Sequence, residues 1–411
     1  MPHRFHFPVG LLPVLCALAL PILLTVGCSH KSPDIAGRWD ATIVAGGAPV
    51  PFRLDLESSG HDATGYFFDG DRKIPSTSGR LEGDRIHLHF DIYNADLDAT
   101  VDGGTLRGNY VVHRSHKEIG RPVTATRFHA ESAANSAAPN IAGDWELRST
   151  KGDASIAWKM VIQQDGPALR GAILRLDGDT GSLTGAFHDG SFTLSHFSGA
   201  RPTLLEGSLA SDGTLQLMLD RKDPIAGVRS NDAKAKSLKA EPDPFHTTSV
   251  KDPQDPLRFS GVDADGKTVT ASDPRFHNKA LIVSIGGTWC PNCMDEAPFL
   301  VDLYKKYHAQ GLEIVGLNFE SGDSAYDVPR VRSFEKRYAI PYPIVIAGST
   351  DQAKDKLAQL VNFSAFPTTI FVGRDGRVKG IHDGFASVAT GVEHEKLKEE
   401  TEKIVQNLLA S

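Results

Sequence analysis

The segment Asp34-Ile35-Ala36-Gly37-Arg38-Trp39 recurs 106 residues later as Asn140-Ile141-Ala142-Gly143-Asp144-Trp145. The same offset pairs Gly65 with Gly171, Gly79 with Gly185 and Ile86 with Phe192, and Thr105-Leu106 returns as Thr214-Leu215. A repeat this long is no solenoid unit, so each copy must close its own core. Within a copy, short alternating stretches such as Phe52 to Leu56, Arg85 to Phe90 and Leu215 to Leu219 are separated by Gly46-Gly47, Gly103-Gly104, Asp189-Gly190 and Asp212-Gly213. Alternation of period two punctuated by hairpin residues predicts an antiparallel meander of about seven or eight strands, closed as a barrel or folded as a sandwich. The copies are placed at 33–130 and 139–221.

Trp39 and Trp145 open the two copies and are expected as core plugs. Their Gly-x-Trp setting resembles the first strand of lipocalin-like barrels. His87 and His89 fall on one face of a strand, but no third ligand accompanies them, so a solvated strand face is the reading. With a formal charge of −7 the chain has no basic footprint for nucleic acid. Residues 222–256, charged and Ala-rich and then carrying Pro242, Pro244, Pro253 and Pro256, read as a linker.

Four cysteines in 411 residues exclude a disulfide-stapled scaffold, so each needs its own account. Residues 1–27 read as an export signal: a short polar start with Arg4, then an uncharged stretch interrupted by Pro13 and Pro21. That stretch ends Leu24-Thr25-Val26-Gly27-Cys28. The ending resembles a bacterial lipobox, which implies lipidation at Cys28 and a membrane anchor outside the cytoplasm. Cys16 would leave with the signal. Cys290 and Cys293 would then be the only free thiols, a close pair in an oxidising compartment.

From residue 257 onward, strands alternate with helices. Ala280 to Ile285 is a continuous apolar run, the mark of a strand buried on both faces. It leads through Gly286-Gly287-Thr288-Trp289-Cys290-Pro291-Asn292-Cys293 into a helical pattern. Further strands are expected at 311–317 and 344–346, helices at 328–338 and 351–361, a hairpin over 368–381 and a closing helix over 393–409. A strand, a Cys-x-x-Cys at a helix start, a βαβ unit and a hairpin make the organisation of a thioredoxin fold. The fold class is thus multidomain: two all-β repeats and then an α/β domain over 257–411.

A cysteine at a helix N-terminus faces unpaired N–H groups and the positive end of the helix dipole, both of which favour thiolate. Cys290 is therefore the expected nucleophile and Cys293, one turn in, the resolving thiol. Glu296 lies on the same helical face, where a carboxylate could relay a proton. A zinc site would need two further ligands, and His277 and His308 are isolated, so no metal is expected.

These residues resemble the TlpA/ResA-type thiol-disulfide oxidoreductases. The resemblance covers about residues 257–411 and rests on Trp289-Cys290-Pro291-Asn292-Cys293, Glu296, Phe366-Pro367-Thr368-Thr369 and the Arg374-Asp375-Gly376 turn. It implies disulfide exchange with protein thiols, more readily as a reductant, with no bound cofactor and a membrane electron donor to reset the pair. It also implies that Pro367 is a cis-proline against the disulfide, that Phe366 offers its backbone to a bound peptide and that Trp289 shapes the docking surface. The sequence departs from this family at Gly286-Gly287 and at Asn292. A peroxidase-like redoxin is the rival within the fold, although Thr288 stands two residues before Cys290 where that chemistry uses three. A rival of another class makes the β-repeats an envelope ligand-binding module with the redoxin domain as accessory.

Overall fold

The computed structural model describes residues 33–129, 138–151, 156–235 and 238–411. Cys16, Cys28 and the expected signal at 1–27 lie outside them. Each repeat is a closed eight-stranded barrel, which decides between the two architectures left open by the sequence. In the first, Gly37–Ala45 pairs with both Ala48–Ser59 and Lys117–Arg127, and Asp62–Asp69 completes the ring between Ala48–Ser59 and Ser78–Glu82. In the second, Gly143–Ser149 pairs with Ile156–Asp165 and Asp223–Arg229. The stretch from 223 to 229, expected as linker, is therefore the strand that closes the second barrel.

Closure removes the sheet edges, and alternation sends every second residue inward. Trp39 and Trp145 are fully buried at equivalent places. Each indole N–H donates to a carbonyl four residues back, Ile35 and Ile141, at 2.9 Å, and each ring carries a guanidinium from the last strand, Arg127 or Arg229. Both barrels also carry a short side hairpin on the third barrel strand: Arg72–Pro75 folds back on Asp62–Asp69, and Gly178–Asp179 on Ala168–Arg175. The barrels interlock. Phe197 of the second barrel inserts among Phe52, Phe67 and Tyr110 of the first, and the Tyr110 hydroxyl donates to Gly199 O at 2.8 Å.

The C-terminal domain has strands β1 (Ser260–Asp263), β2 (Thr268–Thr270), β3 (Ala280–Gly286), β4 (Leu312–Glu320), β5 (Ile344–Ser349), β6 (Thr368–Val372) and β7 (Val378–Asp383). They form one sheet in the order β2-β1-β5-β4-β3-β6-β7, with β3, β4 and β5 parallel and the rest antiparallel. Helices α1 (Pro291–Tyr307), α2 (Ser324–Tyr338) and α3 (Val392–Ala410) cover it. All seven residues of β3 and all nine of β4 are buried, as the apolar run requires of central strands. The helix expected at 351–361 is absent: one short turn, Ala353–Lys356, gives way to Leu360–Val361, which pairs with Ser249–Val250. Burial of Leu357 and Leu360 in the domain core overrides the local helical pattern.

We expect Trp39→Ala and Trp145→Ala each to cost about 3–5 kcal/mol of stability. Urea unfolding of the full chain, followed by circular dichroism, checks this. A loss under about 1 kcal/mol would show that the tryptophans are not the plugs of their barrels.

Candidate active site

Strand β3 delivers the chain through Gly286 and Gly287 to the start of α1, where Cys290 is the N-cap. The Cys290 sulfur accepts the backbone N–H of Cys293 at 3.2 Å, filling one of the unpaired donors of the first turn. The two cysteines are joined as a disulfide, with Cα atoms 5.2 Å apart. Cys290 has no exposed surface and Cys293 only 6%. Both glycines before the motif are explained by close approach. A Cβ at Gly286 would stand 3.1 Å from Cys293 Sγ, and one at Gly287 only 2.3 Å from the Trp289 indole nitrogen and 2.8 Å from Phe319 O.

Around the sulfurs, the structure gathers the other residues singled out in the sequence. The Phe366-Pro367 bond is cis, and Phe366 O lies 3.5 Å from Cys290 Sγ. The Trp289 indole donates to Phe319 O at 2.8 Å, and its ring meets the Phe366 ring edge-on with centroids 5.3 Å apart. Glu296 is buried one turn beyond Cys293 and accepts the hydroxyls of Ser284, at 2.8 Å, and Thr369. Among the described residues no cation faces it, so burial dominates over the two hydroxyl donors and pushes its carboxyl up to about 7. A small cavity is lined by both Cys293 and Glu296, along with Asn318 and Tyr342.

Sequence reasoning did not reach the second polar layer. Glu320, at the C-terminal end of β4, accepts the Thr288 N–H and hydroxyl at 2.8 Å and an Asn318 amide hydrogen at 2.9 Å. Burial pushes the Glu320 carboxyl above its usual range. These bonds pin the loop just ahead of Cys290. Their signal was present: Asn318 and Glu320 interrupt an apolar run at the carboxyl end of a parallel strand, where α/β sheets place their sites. Among the described residues, no cluster of His, Cys, Asp and Glu is arranged to hold a metal ion, and no helix is long and apolar enough to cross a membrane. His87 and His89 are paired with carboxylates, Asp98 and Asp96.

A disulfide-forming pair at a helix start, beneath a cis-prolyl loop and above a buried carboxylate, defines an oxidoreductase domain of the thioredoxin fold. Residues 242–397 match the Redoxin family model, and this part of the chain is a redoxin domain. It is homologous to the thiol-disulfide oxidoreductases ResA of Bacillus subtilis (29% identical over 136 residues, 33% of this chain and 69% of the relative) and Geobacillus kaustophilus (31% over 126 residues, 31% and 66%). The ResA of Bacillus thuringiensis is 30% identical over 123 residues, 29% of this chain and 62% of the relative. The chain thus spans about two thirds of the length of these relatives, and neither barrel lies within the family match. Among solved structures it is similar to a thioredoxin-family thiol:disulfide interchange protein of Chlorobium tepidum, with 26% identity and a TM-score of 0.31 over 39% of this chain and 99% of that one.

The raised Glu296 carboxyl has a definite consequence for stability. Below about pH 4.5 the group is protonated both folded and unfolded and costs nothing; as pH rises toward about 7 the unfolded chain has lost the proton while the folded one keeps it, so folding is progressively penalised. Glu296→Gln should therefore gain stability over the parent at about pH 8, by up to roughly 3 kcal/mol, and gain little near pH 4.5. Urea unfolding at both pH values measures it; a gain that does not change with pH would contradict a buried, raised carboxyl.

Proposed function

We propose that the chain is an extracytoplasmic, lipid-anchored protein-disulfide reductase. The observation that carries the reading is Cys290 at the N-cap of α1, its sulfur within reach of both the Cys293 N–H and Phe366 O. In the reduced enzyme the Cys290 thiolate attacks one sulfur of a substrate disulfide, forming a mixed disulfide and releasing the other substrate sulfur as a thiol. The Cys293 thiolate then attacks Cys290 Sγ, closing the enzyme disulfide and releasing the second substrate thiol. Two electrons pass to the substrate, and a dithiol donor must return them.

Cys293 has to lose its proton before the second step. Glu296 fits the role of acceptor. Its carboxyl titrates near neutrality, and the cavity shared with Cys293 offers a path for the proton. Phe366 O lies beside Cys290 Sγ, where an extended peptide could pair with this stretch of backbone, and Trp289 walls that position. Anchoring rests on the lipobox-like Leu24 to Cys28 segment.

Reduction of insulin disulfides by the full chain, supplied with a small dithiol, tests the assignment. Cys290→Ser should abolish it, whereas Cys293→Ser should stall as a mixed disulfide visible by mass. A reduction potential for the pair near about −270 mV or below fits a reductant; one near about −120 mV would make the protein an oxidant instead. For the anchor, Cys28→Ser should move the chain from the membrane to the soluble fraction, and an unchanged distribution would refute lipidation there.

A further inference from the structure

The face of the redoxin domain that carries the dithiol is already in contact with a protein surface, and that surface belongs to the same chain. Asn292, between the two cysteines, is 3% exposed, and its amide donates to Asp177 O at 2.8 Å. Asp177 sits in the turn of the second barrel's side hairpin. The next residue, Gly178, has φ +124°, and a Cβ there would lie 2.2 Å from the Asn292 amide nitrogen and 3.0 Å from Phe385 O. On the redoxin side, a Cβ at Gly384 would lie 2.3 Å from Leu176 O, and the Gly384 N–H donates to Pro367 O at 2.7 Å. The turn is therefore pressed against the Cys-x-x-Cys loop and against the segment tied to the cis-proline.

Polar anchors hold it there. Asp179, at the end of the hairpin and 6% exposed, accepts the Ser387 N–H at 2.6 Å and the Ser387 hydroxyl at 3.0 Å. The topologically equivalent hairpin of the first barrel reaches the same helix: Arg72 pairs with Asp295 at 2.6 Å and with Asp69 at 2.7 Å. Thus the corresponding hairpin of each repeat grips the first turns of α1, and Cys290 has no exposed surface.

We infer that the turn from Arg175 to Asp179 is a built-in cap on the dithiol, occupying the surface that a protein substrate must use. The inference rests on the reading of Cys290 as the attacking thiol. Attack requires a substrate sulfur to come into bonding contact with Cys290 Sγ, and a folded protein cannot do so while this face is covered. Substrate and hairpin compete for one site, so exchange with a protein disulfide proceeds from the fraction of molecules in which the hairpin has moved away. The barrels then set which partners reach the cysteines and how often.

The test uses the full chain with Cys16, Cys28 and Cys293 replaced by Ser, so that Cys290 is the sole thiol, and follows its alkylation by a polyethylene-glycol maleimide. Gly178→Ala pries the turn from Asn292 without removing a polar group, and Asn292→Ala removes the contact from the other side. Each should label at least about tenfold faster than the parent, which itself should label far more slowly than the same chain in denaturing urea. The proposal is overturned if a variant that keeps the parent's circular dichroism labels at the parent's rate, or if the native parent labels as fast as the unfolded chain. Labelling requires no disulfide exchange. A wild-type chain that fails to reduce insulin, beside labelling that behaves as expected, would therefore sink the reductase reading and leave the cap standing.

Discussion

The junction between β3 and α1 is the constraint on which the rest depends. A strand buried on both faces leads through the short loop Gly287 to Trp289 into a helix whose N-cap is Cys290, so the sheet sets where the first sulfur lies. The turn is tight enough that a side chain at Gly286 or Gly287 would run into Cys293, Trp289 and the backbone of Phe319. Helix starts leave N–H groups unpaired, and here the Cys290 sulfur takes one of them. The other side of the same helix start offers Asn292 and Asp295, and each is bound by one of the two barrels. One short stretch of chain thereby faces the sheet, the dithiol chemistry and two further domains.

Two carboxylates in the first turns of α1, Asp295 and Glu296, are held away from water, and the partners of each settle its charge. Glu296 accepts the hydroxyls of Ser284 and Thr369, and burial raises its carboxyl to about 7. Asp295 and Asp69 share one guanidinium, that of Arg72. Against burial, His196, Arg72 and the Ser182 N–H hold Asp69 below its usual range, while burial pushes Asp295 well above its own. Breaking such a set from one side would strand a buried charge.

Much of this was legible in the residues. The 106-residue repeat, the alternating stretches and the glycine-rich turns pointed to twin β-domains, and the apolar run into Cys-x-x-Cys pointed to the redox fold. The boundaries were less so. The strand at 223–229 follows an Asp-Arg-Lys-Asp stretch that looks like linker, and only its pairing with Gly143–Ser149 and Leu215–Leu219 shows it to be the barrel's last stave. The short turn at Ala353–Lys356 is cut off because Leu360 and Val361 are taken by a strand pairing with residues far away in sequence. Asn292 stood out as a departure from its family without any sign of its purpose, since its partner, a backbone carbonyl, has no side-chain signature.

The sequence by itself determined the local chemistry: a cysteine pair spaced to close on one helical turn, a carboxylate on the same face, a proline before a strand, and two copies of one β-module. Those follow from periodicity and spacing within a few residues, where backbone geometry leaves little choice. Only the tertiary structure decided that the modules close as barrels, that the carboxylate is buried without a cation, and that a hairpin of each barrel lies on the helix bearing the thiols. Those depend on contacts between residues from a dozen to more than two hundred positions apart, made through strand pairing, shared burial, a backbone carbonyl and an ion pair, and nothing in the local pattern encodes them.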